Sequence, residues 1–481
     1  GKHLGFFTEF KTKKGEEVQM KSGISFVSME GAKENLEHDI PHWDFDKVVN
    51  DNRSLWSDAL SKVNVTGGTD DDKTIFYTAM YHTMVDPRNF SDVNGNYIGA
   101  DKQIHVAKDF TYRTVFSGWD VFRSQFPLQT LINPTLVNDE INSLIQMAEL
   151  SGRKSFPRWE MVNAYSDVMI GNPAVSVIVD AYEKGIRKFD IKKAFEFSKN
   201  TVDNNGNGEL GYVPGGISTT LEHCYSDWCL GRFAESQGKK DIAAEYYLKS
   251  KSYTNIWNDD VKWFRSRNKD KTWGAWVNKE KHGQGAVESN PYQQGWFVPH
   301  DIPGLIALMG KETFNTELIN FFEKSPDNFR WNNFYNHPNE PVHQVPFMFN
   351  EAGMPWLTQK WTRKISKNAY GSGVMGLCGN DDVGQLSAWY VLSAMGIHPI
   401  CPGDNKYQVT SPVFNKIEIS LDKEYYNGNK FTIIANNNSS ENIYIQSMQL
   451  NGKPLNRFWI SHQEIIAGGT LALEMGPHPF K

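Results

Sequence analysis

Two groups of carboxyl side chains stand out in the sequence because their surroundings suit acid–base chemistry. Glu288 lies within Val287–Asp301, a segment rich in amide and aromatic side chains. Burial beside aromatic rings disfavours the charged form of a carboxyl group and raises its pKa, as a general acid requires. Asp381 and Asp382 stand side by side before a predicted helix that begins near Gly384. A structural glutamate and a helix N-cap are the simpler explanations, but one cap does not need two acids.

Two further segments could hold a cation or a sugar. A proline-bounded loop contains Asn339, Glu340 and His343. Its mostly oxygen donors suit a hard cation or sugar hydroxyl groups better than zinc, although a purely hydrogen-bonded loop would use the same residues. Trp119 and Asp120 begin another predicted helix. They could form a sugar platform beside a hydroxyl acceptor, or Asp120 could simply interact with the helix dipole.

Taken together, these segments supply the parts of glycoside hydrolysis: an exposed glutamate, a remote acid pair, nearby Trp and Tyr rings and an oxygen-rich loop. The sequence contains no Gly-rich phosphate-binding loop and no GxSxG motif. Its 50 basic and 56 acidic residues give a net charge of −6, which disfavours nucleic acid as a partner. No apolar run approaches the roughly 20 residues that a bilayer span needs, so no transmembrane segment is predicted.

Apolar residues recur with helical spacing through most of the chain, which predicts a mainly α fold. About a dozen helices are expected, and most of them end at Gly, Asn or Pro residues. The predicted segments are 46–63, 72–84, 119–132, 134–150, 171–185, 189–201, 219–237, 239–257, 301–310, 312–325, 354–367 and 384–396. Six hairpins closed into an (α/α)6 toroid fit this pattern better than an open α-solenoid, because the sequence contains no repeat of fixed period.

The composition changes at both ends of this helical region. Residues 404–481 contain alternating strand-like runs and predict a small C-terminal antiparallel β unit. Residues 1–40 include a short β-prone run at 23–29, which favours a strand over a helix. The predicted organisation is therefore a β-domain remnant or linker at 1–40, an (α/α)6 catalytic domain at 41–403 and a β domain at 404–481.

The ordered motifs of the chain resemble those of glycoside hydrolase family 92, the calcium-dependent exo-acting α-mannosidases found largely in bacteria. The resemblance runs from about Gly23 through the helical region and into the C-terminal β unit. It is carried by Phe76–His82, Gly118–Asp120, Thr219–Glu222 with Asp227–Cys229, Trp296–Asp301, Asn339–Pro341, Ala352–Pro355 with Thr358–Gln359, and Gly379–Asp382. Members of this family normally begin with a β-sandwich domain, so the chain is expected to be a piece of a longer protein.

The resemblance implies roles for individual residues. Glu288 would be the catalytic acid and Asp382 the catalytic base, with Asn380 or Asp381 helping to hold the water. Contacts to substrate would come from Trp119, Asp120, Glu340, His343, Asn290 and Gln293, while Asn339 and Glu340 lie where the family binds calcium. After Glu288 the chain departs from the family's usual residues at Pro291 and Tyr292, which alters the wall of the site.

The implied activity is calcium-dependent hydrolysis of terminal α-mannosyl linkages with inversion, on mannose-containing oligosaccharides of the N-glycan or mannan type. The α1,2 linkage is the expected one, although variable loops build the leaving-group side. A periplasmic, cell-surface or secreted location follows from the resemblance alone, and the oligomeric state stays open. Two alternatives remain: another (α/α)6 glycosidase or phosphorylase acting on glucosides, and a glycan-binding protein with idle catalytic residues. A helical scaffold for protein partners is a more distant third.

Overall fold

The computed structural model describes residue 5 and residues 7–480, in which helices are the commonest regular structure. Within these residues the helices, in chain order, are α1 (Met29–Asp39), α2 (Phe45–Leu60), α3 (Asp70–His82), α4 (Gly118–Val121), α5 (Gln125–Ile132), α6 (Pro134–Leu150), α7 (Pro173–Glu183), α8 (Ile191–Asn204), α9 (Ile217–Ser236), α10 (Lys240–Lys249), α11 (Pro291–Gln294), α12 (Ile302–Met309), α13 (Lys311–Glu323), α14 (Met348–Glu351), α15 (Pro355–Asn368), α16 (Gln385–Met395) and α17 (His462–Ile466). Short 3₁₀ segments add Ser252–Ile256, Pro299–Asp301, Glu340–Val342 and Val345–Phe347.

The twelve predicted helical segments all contain helices, with local differences in length. The segment 119–132 is interrupted between α4 and α5, and α10 ends at Lys249, well before the predicted 257. The helices close into a ring, because α16, near the end of the helical region, packs against both α3 and α5 near its beginning. Every residue of α16 is buried, whereas α8 buries only one face. This division into inner and outer helices is what a toroid of helical hairpins requires.

The strands are short except near the carboxyl end. In the described residues they are β1 (Val63–Thr66), β2 (Arg88–Asn89), β3 (Asn96–Ile98), β4 (Ile104–Val106), β5 (Arg113–Thr114), β6 (Glu160–Met161), β7 (Ala164–Tyr165), β8 (Trp257–Asn258), β9 (Trp263–Phe264), β10 (Ile397–His398), β11 (Lys406–Val409), β12 (Lys416–Ser420), β13 (Lys430–Asn436), β14 (Tyr444–Leu450), β15 (Lys453–Pro454), β16 (Trp459–Ser461) and β17 (Gly469–Gly476).

The main sheet has the strand order β1–β12–β13–β17–β14–β15. Its pairs are antiparallel except β13 and β17, which run parallel with Phe431 opposite Gly469. The edge strand β1 comes from the helical part of the chain and pairs with β12, with Val63 opposite Ile419. The C-terminal β unit is therefore completed by a strand that precedes most of the helices, and the two regions share one core.

The strand predicted at 23–29 is wrong. Residues 21–25 have no regular structure and residues 26 and 27 form a bend. Ser28 then caps α1, because its side chain accepts a hydrogen bond from the backbone N–H of Gly31. Alternation of apolar residues over a few positions cannot specify a strand when no neighbouring strand is available to pair with it.

A buried glutamate holds the segment that leads to α4. The carboxylate of Glu160 accepts hydrogen bonds from the backbone N–H of Val115 and Asn163 and from the hydroxyl group of Thr114. The backbone of Glu160 also pairs with Phe116 in both directions, at 3.0 and 2.9 Å. Behind it, burial and the charge of Glu160 raise the pKa of Glu140 to about 8. The segment before α4 is therefore held by the carboxylate of Glu160, both of whose oxygens accept hydrogen bonds. Glu140, whose charge would oppose that of Glu160, is protonated below a pH of about 8.

Replacement of Glu140 by glutamine tests this buried pair. Because the folded-state pKa of about 8 lies above the ordinary value of 4.5, the folded chain keeps a proton that the unfolded chain releases, and stability declines as pH rises between these values. Glu140→Gln has no such proton. Between pH 4.5 and about 8, the free energy of unfolding of Glu140→Gln should increase relative to that of the wild type by up to about 1.4 kcal/mol per pH unit. Above this range the difference, measured by thermal unfolding, should level off. Glu209→Gln, an exposed control, should follow the wild type, and a Glu140→Gln difference independent of pH would contradict the assignment.

Candidate active site

Three carboxyl groups from distant parts of the chain meet at one place. Asp120 in α4, Glu340 at the start of a 3₁₀ turn and Asp382 just before α16 each offer an oxygen atom, and these atoms all lie within 4.8 Å of one another. Asp120 is 5% exposed and Glu340 is 2% exposed. We refer to Asp120, Glu340 and Asp382 as the acidic triad.

Burial and mutual repulsion disfavour charge in the acidic triad. The pKa of Asp120 is raised above its ordinary value by burial first and then by the negative charge of Asp382. The pKa of Glu340 is raised well above its usual range by burial, with the charges of Asp120 and Asp382 adding to the effect. Like charges at such distances favour protonation or a compensating cation.

Glu288 faces the same electrostatic environment. Glu288 is exposed, unlike Asp120 and Glu340, but partial desolvation of its carboxyl group raises its pKa, and the negative charge of Asp382 raises it further. The backbone around it is fixed, since the N–H of Val287 donates to the hydroxyl oxygen of Ser218 at 2.9 Å and the side chain of Asn339 donates to the Glu288 carbonyl at 3.4 Å. Glu288 itself has a φ of +54°, a value that non-glycine residues adopt rarely and that clusters at functional sites.

Asp120 is positioned by its neighbours at the start of α4. The hydroxyl group of Ser117 donates to the Asp120 carboxylate, and the indole N–H of Trp159 donates in turn to Ser117. Trp119, predicted as a sugar platform, is only 1% exposed. A ring buried to this degree presents no open face to a sugar, so its contacts indicate a positioning role.

Glu222 and Arg123 form a buried ion pair that sequence reasoning gave no role. Glu222 accepts hydrogen bonds from the guanidinium group of Arg123 at 2.9 Å and from the indole N–H of Trp119 at 3.1 Å. The guanidinium group also packs over the rings of Phe122 and Phe297. Glu222 is the last residue of the motif Thr219–Glu222. Its place in that motif was the sequence feature that could have indicated a role in the site.

Asn290 and Gln293 were predicted to contact substrate, but their amide groups hold loops in place. Asn290 caps α11 by accepting from the N–H of Gln293, and its amide group donates to the carbonyls of Glu280 and Asn333. The amide group of Gln293 donates to the carbonyls of Asn332 and Phe334, both at 2.8 Å. With both amide hydrogens committed to backbone carbonyls, neither amide group is free to donate to a sugar in this structure.

His343 is likewise committed to protein contacts. Its Nε2 lies 2.9 Å from the carbonyl oxygen of His337, and its Nδ1 lies 3.0 Å from the amide nitrogen of Gln385. Burial lowers its pKa to about 3. It is therefore a neutral imidazole that donates through Nε2, accepts through Nδ1 and ties the Glu340 loop to the start of α16.

The adjacent acids Asp381 and Asp382 face different surroundings. One carboxylate oxygen of Asp381 accepts from the backbone N–H of Ser387 at 2.9 Å, and the other lies 3.6 Å from Nδ1 of His82. Asp382 joins the acidic triad instead. The structure therefore assigns the capping contact to Asp381 and leaves Asp382 beside Asp120 and Glu340.

The acidic triad fits a hard divalent cation. Oε1 of Glu340 and Oδ1 of Asn339 are buried and have no hydrogen-bond partner among the described residues. Buried acceptors without donors are rare in folded proteins, and carboxylate and amide oxygens are the ligands that calcium prefers. The sequence placed the cation at Asn339 and Glu340, and the geometry adds Asp120 and Asp382 to the candidate set.

Comparison with known proteins places this geometry in one family. A profile of the glycosyl hydrolase family 92 catalytic domain matches residues 31–477. The family GH92 α-mannosidase BT3965 from Bacteroides thetaiotaomicron has 32% sequence identity and a TM-score of 0.89, over 95% of this chain and 62% of that one. A further structure of BT3965 contains mannoimidazole.

Two other proteins are also similar to this chain over most of its length. The family GH92 inverting mannosidase BT2199 from B. thetaiotaomicron has 31% identity and a TM-score of 0.87, over 95% of this chain and 66% of that one. An uncharacterized secreted glycosidase from Arthroderma benhamiae is 26% identical over 507 residues, which cover 95% of this chain and 60% of that protein.

The chain thus spans between 60% and 66% of the length of these relatives. The match of helical ring and C-terminal β unit confirms the predicted fold class, a mainly α (α/α)6 toroid with a small C-terminal β unit. The unit was predicted to be antiparallel, and the parallel pair of β13 and β17 departs from that prediction. With a family match over most of its length, the chain belongs to glycosyl hydrolase family 92.

Proposed function

We propose that the protein is an exo-acting, calcium-dependent α-mannosidase that hydrolyses terminal α-mannosyl linkages with inversion. The observation that carries this proposal is the meeting of Asp120, Glu340 and Asp382 within 4.8 Å of one another, close enough to Glu288 for the charge of Asp382 to raise its pKa. An acid with a raised pKa and a second carboxyl group on the other side of a sugar ring are what inverting hydrolysis needs.

In the proposed reaction, protonated Glu288 donates its proton to the glycosidic oxygen as the bond to the anomeric carbon breaks. Asp382 accepts a proton from the water that attacks the opposite face of that carbon. The products are the free alcohol of the leaving group and β-mannose. Glu288 ends ionised and Asp382 protonated, and exchange with solvent resets both groups. Inverting enzymes separate the two carboxyl groups by about 6.5–9.5 Å to leave room for the water.

Asp120, Glu340 and Asp382, with Asn339 close by, are the residues that would hold calcium. When bound, the ion would offset the negative charge of the triad and act electrostatically on sugar hydroxyl groups. Asp120 and Glu340 would then stay ionised at neutral pH, because a cation favours the charged form that burial disfavours.

The proposed substrates are mannose-containing oligosaccharides of the N-glycan or mannan type, with α1,2-linked terminal mannose as the first choice. The mannoimidazole complex of BT3965 and the mannosidase activity for which BT3965 and BT2199 are named support mannose over glucose. We also propose a periplasmic, cell-surface or secreted location, to which the name of the Arthroderma relative lends support. No helix among the described residues is long and apolar enough to cross a membrane.

We further propose that residues 1–40 connect the catalytic region, at 41–403, to an N-terminal β domain, and that 404–481, whose sheet is completed by β1, form the C-terminal β domain. Support comes from large apolar side chains that lie exposed near the beginning of the described chain. They are Phe7, Phe10, Val18, Met20, Ile24, Phe26, Met29, Trp43 and Phe45. Apolar patches of this kind usually mark surfaces that another unit covers.

A panel of disaccharides tests the proposed activity. Release of mannose is expected from α-mannobioses, fastest from the α1,2 isomer among the α1,2, α1,3, α1,4 and α1,6 compounds. EDTA should abolish the reaction and added calcium should restore it. Release of glucose from α-glucobioses would support the glucoside alternative. Binding of mannobiose with no release would support the idle glycan-binding protein, and either result would contradict the proposal.

The variant Glu288→Gln tests the acid. With a mannobiose, whose leaving group needs protonation, kcat should fall by about 10²- to 10⁴-fold. With 2,4-dinitrophenyl α-mannoside, whose leaving group departs without a proton, the loss should be much smaller. Calcium binding, followed by calorimetry, should persist. The matched control Glu280→Gln changes a partly exposed glutamate in the same loop region and should behave as the wild type; equal losses on both substrates would rule out Glu288 as the acid.

A further inference from the structure

The turn that carries Asp382 has an unusual backbone. Asp382, Val383 and Gly384 have φ values of +46°, +61° and +92°. A single left-handed residue is common in turns, but a β-branched residue such as Val383 rarely adopts this conformation. Such a conformation persists only where the surrounding structure determines it. The direction of the Asp382 carboxylate therefore depends on whatever holds this turn.

The carboxyl end of α3 packs directly against the turn. A β-carbon placed on Gly384 would lie 2.9 Å from Cα of Thr83 and 3.1 Å from the carbonyl oxygen of His82. The two backbones are therefore closer than any side chain would allow, and only glycine fits here. The end of α3 acts as a fixed surface against which the turn is set.

One side chain of α3 contacts both residues that anchor the turn to α16. Nδ1 of His82 lies 3.3 Å from the hydroxyl oxygen of Ser387 and 3.6 Å from the Asp381 carboxylate. Asp381 in turn accepts from the backbone N–H of Ser387, and its carbonyl oxygen accepts from the N–H of Leu386. His82, Asp381 and Ser387 thus link the end of α3, the residue before Asp382 and the first turn of α16.

We infer that His82 is a positioning residue for the catalytic base: through Asp381 and Ser387 it fixes the left-handed turn and so aims Asp382 at its water. This inference rests on the proposed role of Asp382. His82 touches neither the acidic triad nor Glu288 in these contacts, so it acts through its neighbours. The side chain of His82 is 35% exposed and borders a cavity of about 660 Å³ beside the loop Gly371–Gly376. Its replacement therefore does not open the core.

The test compares His82→Asn with His82→Gln and with His82→Ala, which removes the imidazole altogether. The asparagine amide can place its nitrogen where Nδ1 stood, whereas the longer glutamine amide reaches the position of Nε2. Thr74→Ala, on the same helix and lining the same cavity, is the matched control. The readouts are kcat and KM with 4-nitrophenyl α-mannoside, thermal unfolding, and Ca²⁺ affinity by calorimetry.

At saturating Ca²⁺, His82→Gln and His82→Ala are expected to lower kcat by about 10- to 100-fold, with KM changed less than about twofold, because the base is misaligned while the substrate contacts stay. Ca²⁺ affinity should weaken in parallel, since Asp382 belongs to the acidic triad. His82→Asn should recover most of the lost kcat, and Thr74→Ala should match the wild type. Equal kcat values for the asparagine and glutamine variants, or a rise in KM alone, would overturn the inference, whether or not His82→Ala folds.

Asp382→Asn, assayed in parallel, separates the two levels of the argument. Full activity of Asp382→Asn would show that Asp382 is not the catalytic base, and the inference about His82 would then be wrong as well. An inactive Asp382→Asn together with fully active His82 variants would overturn the role of His82 and leave the proposed function standing.

Discussion

Repulsion among three carboxyl groups within 4.8 Å of one another is the constraint on which the rest of the site depends. Two of them, Asp120 and Glu340, are buried, and an ionised carboxylate out of water is costly unless it is paired. Arg123, whose charge lowers the pKa of Asp120, donates its hydrogen bonds to Glu222 and to the carbonyl of Trp119 instead. A bound cation that accepts oxygen ligands relieves this repulsion, which is why the triad, Glu288 and calcium belong to one proposal.

The ring of helices is what brings these groups together. Asp120 follows the bridge between Phe116 and Glu160, Glu340 opens a 3₁₀ turn, and Asp382 precedes α16. No two of them are neighbours in sequence, so the site exists only when α16 closes the ring against α3 and α5. The hydrogen bond between the buried side chains of Gln385 and His343 joins the segments that carry Glu340 and Asp382. Glu160 holds the segment that leads to Asp120.

Helical periodicity predicts outer helices such as α8, which buries only one face, but it carries less information for inner helices such as α16, all of whose residues are buried. The pairing of β1 with β12 could not be predicted, since hundreds of residues separate Val63 from Ile419 and no local pattern encodes that contact. Among the site residues, the motifs located Asp120, Glu340 and Asp382 but could not tell free from committed side chains. The amide groups of Asn290 and Gln293 donate to backbone carbonyls, the imidazole of His343 contacts Gln385, and the indole of Trp119 donates to Glu222. Contact of these residues with substrate stays a prediction.

The central claim is that Glu288 and Asp382 act as acid and base on opposite faces of a terminal α-mannoside. Proton NMR of the mannose first released from 4-nitrophenyl α-mannoside, whose leaving group is not a sugar, measures this directly when it is recorded before mutarotation. The account predicts that β-mannose forms first and then equilibrates. The first appearance of α-mannose would mean retention through a covalent intermediate, and it would contradict the assignment of Asp382 as the base that activates water.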